Sequence, residues 1–189
     1  MEAEASSQQS SNAKRRVAIV GAGVSGLPAI KSCLEEGLVP VCFEKTADIG
    51  GLWNFRENLG KNQSTVMRST VVNTSKEVMA YSDFPPPAHW PNFMHNRLVN
   101  QYLNLYADHF KLREHIRFGV EVTRVYKAVD FDSSGGWAGD SPENSGSGGR
   151  WVVETSEEGA AQTFEGVFLC TGHHAIPLEA HFEGLEEFQ

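Results

Sequence analysis

Residues 14–27 read KRRVAIVGAGVSGL, and this stretch decides the fold. The apolar run at residues 17–20 is typical of a buried strand, the glycines indicate a tight turn, and the letters after them favour a helix. Gly21, Gly23 and Gly26 stand in the pattern G-x-G-x-x-G. There the first glycine permits the turn, the second lets backbone approach a pyrophosphate, and the third lets helix pack on strand. The stretch therefore predicts a dinucleotide site at a helix N-terminus, where unpaired N–H groups favour an anion.

A second apolar run, residues 39–43, ends in Glu44, 18 residues after Gly26. A carboxylate near this spacing binds the ribose hydroxyls and repels a 2′-phosphate, so the site favours FAD or NAD over NADP. The alternative is a surface glutamate that ends a strand. Between the strands we expect a helix from about residue 24 to residue 36. Pro28 falls in its first turn, where the missing N–H has no intrahelical partner, and the two strands should be parallel.

Composition sets the outer limits of the function. The 189 residues are 40% hydrophobic, enough for one well-buried domain, and the net charge of −8 speaks against a nucleic-acid partner. Residues 1–13 are rich in Ser, Gln, Ala and Glu and are expected to be a disordered tail. No run approaches the roughly eighteen apolar residues that a membrane span needs. We therefore expect a chain that is soluble as given.

The cysteines predict no metal site and no disulfide. Cys33, Cys42 and Cys170 each have apolar neighbours, and their odd number lacks metal-ligand spacing. This pattern is typical of reduced, buried thiols in a reducing compartment. No activating base can be placed beside any of them, so a catalytic thiol is disfavoured.

The letters after Glu44 make the dinucleotide site specific. Residues 50–53 read GGLW, and the glycine pair lets backbone pass close to a ligand while Trp53 covers an aromatic ring system. The alternative is a simple Gly-Gly turn with Trp53 in the core. Together with the first two motifs, GGLW resembles the FAD fingerprint of two-dinucleotide-domain flavoproteins. It is similar to the version in flavin-containing monooxygenases.

Two further segments carry the same resemblance. Residues 69–77 read STVVNTSKE and residues 81–85 read YSDFP, similar to the family's active-site turn and the motif after it. The resemblance implies that Asn73 lies against the flavin and nicotinamide and hydrogen-bonds the reactive oxygen adduct. Asn73 is also suited to capping a helix that starts near Ser75. Both roles can hold at once.

The remaining elements complete a Rossmann-like α/β domain with a parallel sheet and a β-meander. Residues 84–91 are expected to be an extended surface segment, and residues 96–109 an amphipathic helix whose apolar positions are Leu98, Tyr102, Leu105 and Tyr106. Strands are expected at residues 116–125, 150–155 and 163–165, and a buried strand at residues 166–170 that ends in Thr171-Gly172. The Gly- and Ser-rich residues 133–149 should form a flexible loop.

The resemblance implies a set of cofactor contacts. Val122 is the position whose backbone would meet the adenine, and Thr171 and Gly172 would touch the FAD phosphates. The full set of expected FAD contacts is Gly21, Ala22, Gly23, Val24, Ser25, Gly26, Glu44, Lys45, Gly51, Leu52, Trp53, Val72, Asn73, Thr74, Val122, Thr171 and Gly172.

The resemblance also implies an activity. In this family NADPH reduces FAD, and a C4a-hydroperoxyflavin formed from O₂ oxygenates a soft nucleophile such as an amine nitrogen or a thioether sulfur. No second G-x-G-x-x-G for NADPH follows Gly26. We therefore expect residues 14–175 to be a partial FAD domain, incomplete at its C-terminus, and residues 176–189 to begin a linker to an NADPH-binding domain. The chain alone should be inactive.

The resemblance also bears on localisation, and two alternative functions stay open. Any membrane association would need a segment beyond Gln189, which would place the full-length protein at the cytoplasmic side of the endoplasmic reticulum. One alternative is a non-catalytic module that binds FAD or a partner protein. The other is a stand-alone NAD dehydrogenase, disfavoured because no substrate domain with a catalytic base is visible.

Overall fold

The computed structural model describes residues 14–60, 63–128, 150–157, 159, 161–176 and 181–187. The predicted tail at residues 1–13 and the predicted loop at residues 133–149 lie outside the described residues. The helices and strands are, in chain order, β1 (Arg16–Val20), α1 (Gly26–Glu35), β2 (Val39–Glu44), α2 (Lys76–Met79), α3 (Asn96–His109), β3 (Ile116–Phe118), β4 (Val122–Lys127), β5 (Trp151–Thr155), β6 (Gln162–Phe164) and β7 (Gly166–Leu169).

Four strands form a parallel sheet in the order β3-β2-β1-β7. The centre of this sheet is buried, with Ala18, Ile19 and Cys42 fully shielded from solvent. Helix α1 connects β1 to β2, and a parallel pair needs such a crossover because a tight turn cannot join its ends. The predicted Rossmann-like α/β unit is therefore confirmed.

The other three strands form the predicted antiparallel meander, in the order β4-β5-β6. Its buried residues Val153 and Phe164 pack on the parallel sheet, where the rings of Phe43 and Phe164 meet edge to face with centroids 6.0 Å apart. The two sheets therefore share one apolar layer.

The single strand predicted at residues 116–125 is wrong, because it is two strands in different sheets. The chain turns at Gly119, which has φ 72°, a conformation that favours glycine. Strand β3 before the turn pairs with β2, and strand β4 after it pairs with β5. The Val120 N–H then donates to the Glu44 carbonyl at 3.0 Å, which brings the start of β4 to the end of β2.

Helix α3 has the predicted bounds, but its buried face differs from the prediction. Val99, Tyr102, Leu103 and Tyr106 are buried, whereas Leu105 is 38% exposed and Leu98 is half-buried. The buried positions follow the spacing i, i+3, i+4 and i+7, which is one helical stripe. Leu98 and Leu105 lie at the borders of that stripe.

Residues 84–91 are less exposed than predicted. Phe84 and Trp90 pack on the main core beside α3. The Phe84 ring lies 5.8 Å from the Tyr102 ring and 5.6 Å from the Tyr106 ring. The buried Lys76 ammonium donates to the carbonyls of Ala88 and Trp90, both at 2.6 Å. Proline excludes helix here, as expected, but the aromatic side chains bind the segment to the core.

Strand β7 is not the fully buried strand that its apolar letters predict. Phe168 is 48% exposed and Leu169 is 69% exposed. The reason is its place in the sheet, because within the described part of the chain β7 pairs with β1 alone. The proposed division of the chain at residue 175 stays a prediction.

Candidate functional site

A cavity of about 460 Å³ opens where β1, β2 and β7 end. Because parallel strands point the same way, the residues that follow them meet at one edge of the sheet. The predicted contacts that line the cavity are Gly21, Gly23, Val24, Ser25, Glu44, Lys45, Gly51, Leu52, Trp53, Val122, Thr171 and Gly172. Motifs more than a hundred residues apart therefore share one site.

The glycine-rich turn has the shape that its sequence predicts. Gly21 has φ 101°, and a Cβ there would lie 2.5 Å from the Cys170 carbonyl oxygen. A Cβ on Gly26 would lie 1.8 Å from the Gly21 carbonyl oxygen, so the start of α1 rests directly on the turn. Gly26 does not line the cavity; its role is the close packing of helix on strand.

Glu44 is buried and accepts three hydrogen bonds, so the alternative of a surface glutamate is wrong. It is 5% exposed. The Ala22 N–H donates to its Oε2 at 2.8 Å, while the N–H and hydroxyl of Thr46 donate to its Oε1 at 2.9 and 2.8 Å. A carboxylate has about four acceptor positions, which leaves one on Oε2 for a ligand. Ala22 thus acts by orienting Glu44 and does not itself line the cavity.

The Gly50-Gly51 turn lies against the first glycine-rich turn. The Gly50 N–H donates to the Ala22 carbonyl at 3.1 Å, and a Cβ on Gly51 would lie 3.4 Å from the Cα of Gly23. Gly50 and Gly51 both have positive φ, at 103° and 51°. Trp53 lines the cavity and also packs on the core. That it covers an aromatic ring stays a prediction.

The Asn73 turn lies apart from these residues. Val72, Asn73 and Thr74 do not line the cavity, and Asn73 is exposed. Backbone bonds hold the turn on the segment before α3, with the Val72 N–H 2.9 Å from the Met94 carbonyl. Asn73 is not the helix cap, because the residue before α2 is Ser75.

Several lining residues were not expected from the sequence: Val20, Phe43, Thr46, Arg56, Gln63, Ser64, Val120, Glu121, Cys170, His173, His174 and Ala175. Gly50, half of the glycine pair, also lines the cavity. Most of these lining residues are sequence neighbours of a predicted contact, so their closeness to a motif could have indicated that they line the site. Arg56 has no such signal. It reaches the site because its Nη2 donates to the Thr46 hydroxyl at 2.9 Å.

The thiols near the site are poorly suited to nucleophilic chemistry. Burial raises the pKa of Cys170, which lines the cavity, and burial followed by the charge of Glu44 raises the pKa of Cys42. Both thiols therefore stay protonated near neutral pH, and only the thiolate is a strong nucleophile.

The described residues hold neither a metal-binding cluster nor a membrane-spanning helix. They contain no cluster of three or more His, Cys, Asp or Glu side chains arranged to hold a metal ion. They also contain no helix with the length and apolar character needed to span a membrane.

The lining residues suit a dinucleotide that carries an aromatic ring. Glycine backbone at the α1 N-terminus is suited to a pyrophosphate, the Glu44 carboxylate to a ribose, and Trp53 to a ring. Adding a Cβ at Gly21 or Gly26 would displace backbone, so the shape of the turn depends on these glycines.

The family model described as FMO-like, flavin-binding monooxygenase-like, matches residues 14–189. The chain belongs to this family. Flavin-containing monooxygenase 5 of Homo sapiens is 47% identical over 181 residues, which are 93% of this chain and 31% of that protein. Flavin-containing monooxygenase 2 of Homo sapiens is 42% identical over 180 residues, with the same two coverages. The chain therefore spans 31% of the length of these curated relatives.

Solved structures of oxygenases have the same fold. S-allyl-L-cysteine S-oxygenase from Allium sativum superposes with a TM-score of 0.74 at 24% identity, over 92% of this chain and 40% of that one. A steroid monooxygenase bound to NADP superposes with a TM-score of 0.60 at 24% identity, over 92% of this chain and 29% of that one. The OTEMO complex with FAD and NADP superposes with a TM-score of 0.62 at 20% identity, over 93% of this chain and 29% of that one. Membership of the family confirms the predicted flavin-binding monooxygenase and its flavin cofactor.

Proposed function

We propose that residues 14–175 are the FAD-binding domain of an NADPH-dependent monooxygenase. It transfers one oxygen atom of O₂ to an amine nitrogen or a thioether sulfur, and the other atom leaves as water. The observation that carries the proposal is the convergence of Gly21, Glu44, Gly51 and Thr171 on one cavity. Among the structural neighbours, S-allyl-L-cysteine S-oxygenase is named for oxygenating a sulfur atom.

Each group of cavity residues holds a different part of FAD. The backbone N–H groups at the start of α1 bind the pyrophosphate, together with the backbone of Thr171 and Gly172. The free acceptor position of Glu44 Oε2 binds a ribose hydroxyl. The backbone of Val122 meets the adenine, and Trp53 covers an aromatic ring.

Bound flavin supplies the oxygen chemistry, so the protein needs no acid–base pair of its own. The residues of this chain orient the cofactor and exclude water. Asn73 is assigned as the catalytic residue, since with flavin bound its amide would donate a hydrogen bond to the reacting oxygen. Val71 precedes Asn73 by two residues, and Phe93 lies on the segment that pairs with Val71 and Val72. Both side chains are more than half exposed and offer an apolar surface to the reacting groups.

NADPH and the substrate require residues beyond residue 175. Residues 176–189 begin the linker to the NADPH-binding domain, and the 189-residue chain alone binds FAD without oxidising NADPH. Its partners in the reaction are O₂ and a small nucleophilic molecule. Membrane association, at the cytoplasmic side of the endoplasmic reticulum, depends on a segment beyond Gln189.

A chimaera tests the reaction. Residues 1–189 are joined to the part of human flavin-containing monooxygenase 5 that follows the matched region, and NADPH oxidation is measured with a thioether and with a tertiary amine. We expect oxidation coupled to sulfoxide or N-oxide formation. A folded chimaera that retains FAD but oxidises no NADPH contradicts the proposed function.

The same chimaera tests Asn73. We expect N73A to lower kcat by about 10²–10³, the cost of a lost hydrogen-bond donor to developing charge. The matched control is N92A, which removes another exposed amide from the facing segment. Equal losses in both variants would remove Asn73 from the catalytic role.

A further inference from the structure

The start of α1 contains a gap in its hydrogen-bond ladder. The Leu27 N–H donates to the Gly23 carbonyl at 3.1 Å, and the Ala29 N–H donates to the Ser25 carbonyl at 3.3 Å. The i→i−4 pattern thus begins before the first residue of the helix. Position 28 is proline, which has no N–H, so the Val24 carbonyl has no donor from the ladder. We expected that an N–H at position 28 would have no acceptor within the helix. This is wrong, because the Val24 carbonyl occupies that acceptor position.

The hydroxyl of Tyr81 fills this gap. It donates to the Val24 carbonyl at 2.7 Å, across 57 residues of sequence. The Tyr81 ring packs on Tyr106, with centroids 4.4 Å apart, and its backbone N–H donates to the Tyr102 hydroxyl at 2.8 Å. Burial raises the pKa of Tyr81, so its hydroxyl remains a donor across the physiological range.

The same segment holds α1 at a second point. The Asp83 carboxylate lies 2.7 Å from the Lys31 ammonium. Tyr81 therefore holds the turn that leads into α1, and Asp83 holds the second turn of the helix. Val24 and Ser25 are themselves lining residues, so a shift of this turn changes the cavity wall.

We propose that Tyr81 is a positioning residue for the cofactor: its hydroxyl replaces the hydrogen bond that Pro28 cannot make and fixes the glycine-rich turn in its binding shape. The identity of the ligand rests on the proposed function. The contact itself depends only on this chain. Pro28 and Tyr81 are thus a coupled pair: Pro28 leaves the Val24 carbonyl without a backbone donor, and the Tyr81 hydroxyl donates to it instead.

Coupling makes the proposal testable with a double-mutant cycle on the 189-residue chain. Y81F removes only the hydroxyl, and P28A restores an N–H at position 28. We expect Y81F to weaken FAD binding about fivefold, the effect of one hydrogen bond. In the P28A background the same change should alter the FAD Kd by less than about twofold, because the new N–H serves Val24.

A second readout needs no FAD. Hydrogen exchange of the peptides that cover residues 21–29 should be faster in Y81F and return to the wild-type rate in P28A/Y81F. The control is Y126F, which removes a hydroxyl bonded to Glu154 in the other sheet and should change neither readout. Wild-type exchange in Y81F, or the same loss of FAD affinity from Y81F in both backgrounds, overturns the proposal. Failure of the wild-type chain to bind FAD contradicts the proposed function and leaves the exchange test decisive for Tyr81.

Discussion

The two regions that carry the predicted site residues differ in how they are buried. At the cavity, Ala22 is fully buried and Glu44 is 5% exposed. At the Asn73 turn, Val71 is 53% exposed and Val78 is 77% exposed. In the first region the buried Glu44 carboxylate accepts three hydrogen bonds, from Ala22 and Thr46. The second presents apolar side chains to solvent, and exposed apolar surface commonly marks a place of contact with another group.

The difference does not come from a loosely held turn. The buried Asn96 amide donates to the carbonyls of Met67 and Arg68 at 2.8 and 3.1 Å. The Lys76 N–H donates to the Asn92 carbonyl at 2.7 Å. The backbone on both sides of Asn73 is therefore fixed, while the side chains face outward. The proposed function therefore assigns cofactor binding and the reaction to different parts of the chain.

The largest effect expected is on the cavity side, from G26A. Its Cβ would lie 1.8 Å from the Gly21 carbonyl oxygen, so backbone must move. We expect the free energy of unfolding to fall by about 3 kcal/mol and FAD binding to be lost. Urea unfolding and FAD titration measure the two effects.

The matched control for G26A is G37A. Unlike Gly26, Gly37 has positive φ, at 69°, but a Cβ there meets no atom within 4 Å. It should cost about 1 kcal/mol from backbone conformation alone and leave FAD binding intact. Similar losses in the two variants would mean that the packing of the turn does not shape the site.

The second effect in size is expected from E44Q. The amide group places a donor where the Ala22 or Thr46 N–H also donates, so one hydrogen bond to a charged group is lost. We expect the FAD Kd to rise about 10–100-fold. E165Q is the control, since Glu165 Oε2 also accepts a backbone N–H, from Arg16 at 2.7 Å, but outside the cavity lining. A normal Kd for E44Q would remove the ribose role from Glu44.

A smaller effect is expected from alkaline pH on the aromatic cluster beside α1. Burial raises the pKa of Tyr81, Tyr102 and Tyr106, that of Tyr106 to about 12. These hydroxyls ionise near pH 10 in the unfolded chain but not in the fold, so the stability they contribute is present below pH 10 and is lost as pH rises toward 12. Tyrosinate absorbance near 295 nm should appear together with unfolding. Ionisation of all four tyrosines near pH 10 in a folded chain contradicts this burial.

The smallest effect is expected from N73A in the 189-residue chain. Asn73 is exposed and outside the cavity lining, so stability should change by less than about 0.5 kcal/mol and FAD affinity should not change. Thermal unfolding and FAD titration check both values. A large loss of FAD affinity would mean that the two regions act as one binding site.

Local motifs allowed much of the site to be predicted from the sequence. The turn at residues 21–26 and the acid at Glu44 depend on backbone shape and spacing within one strand-helix-strand unit, which the letters encode directly. Arg56 and Tyr81 were not predicted as parts of the site, because each depends on a side-chain contact that no local pattern encodes, with the Thr46 hydroxyl and the Val24 carbonyl respectively. The break at Gly119 was missed because apolar alternation continues through it, although the two halves belong to different sheets.

The most direct measurement of the central claim is gel filtration of the purified 189-residue chain with added FAD, followed by an absorption spectrum of the protein peak. We expect flavin bands that travel with the protein at one flavin per chain, since the cavity lining lies within residues 20–175. A folded, monodisperse chain that leaves the column without flavin would contradict the claim that these residues form an FAD site.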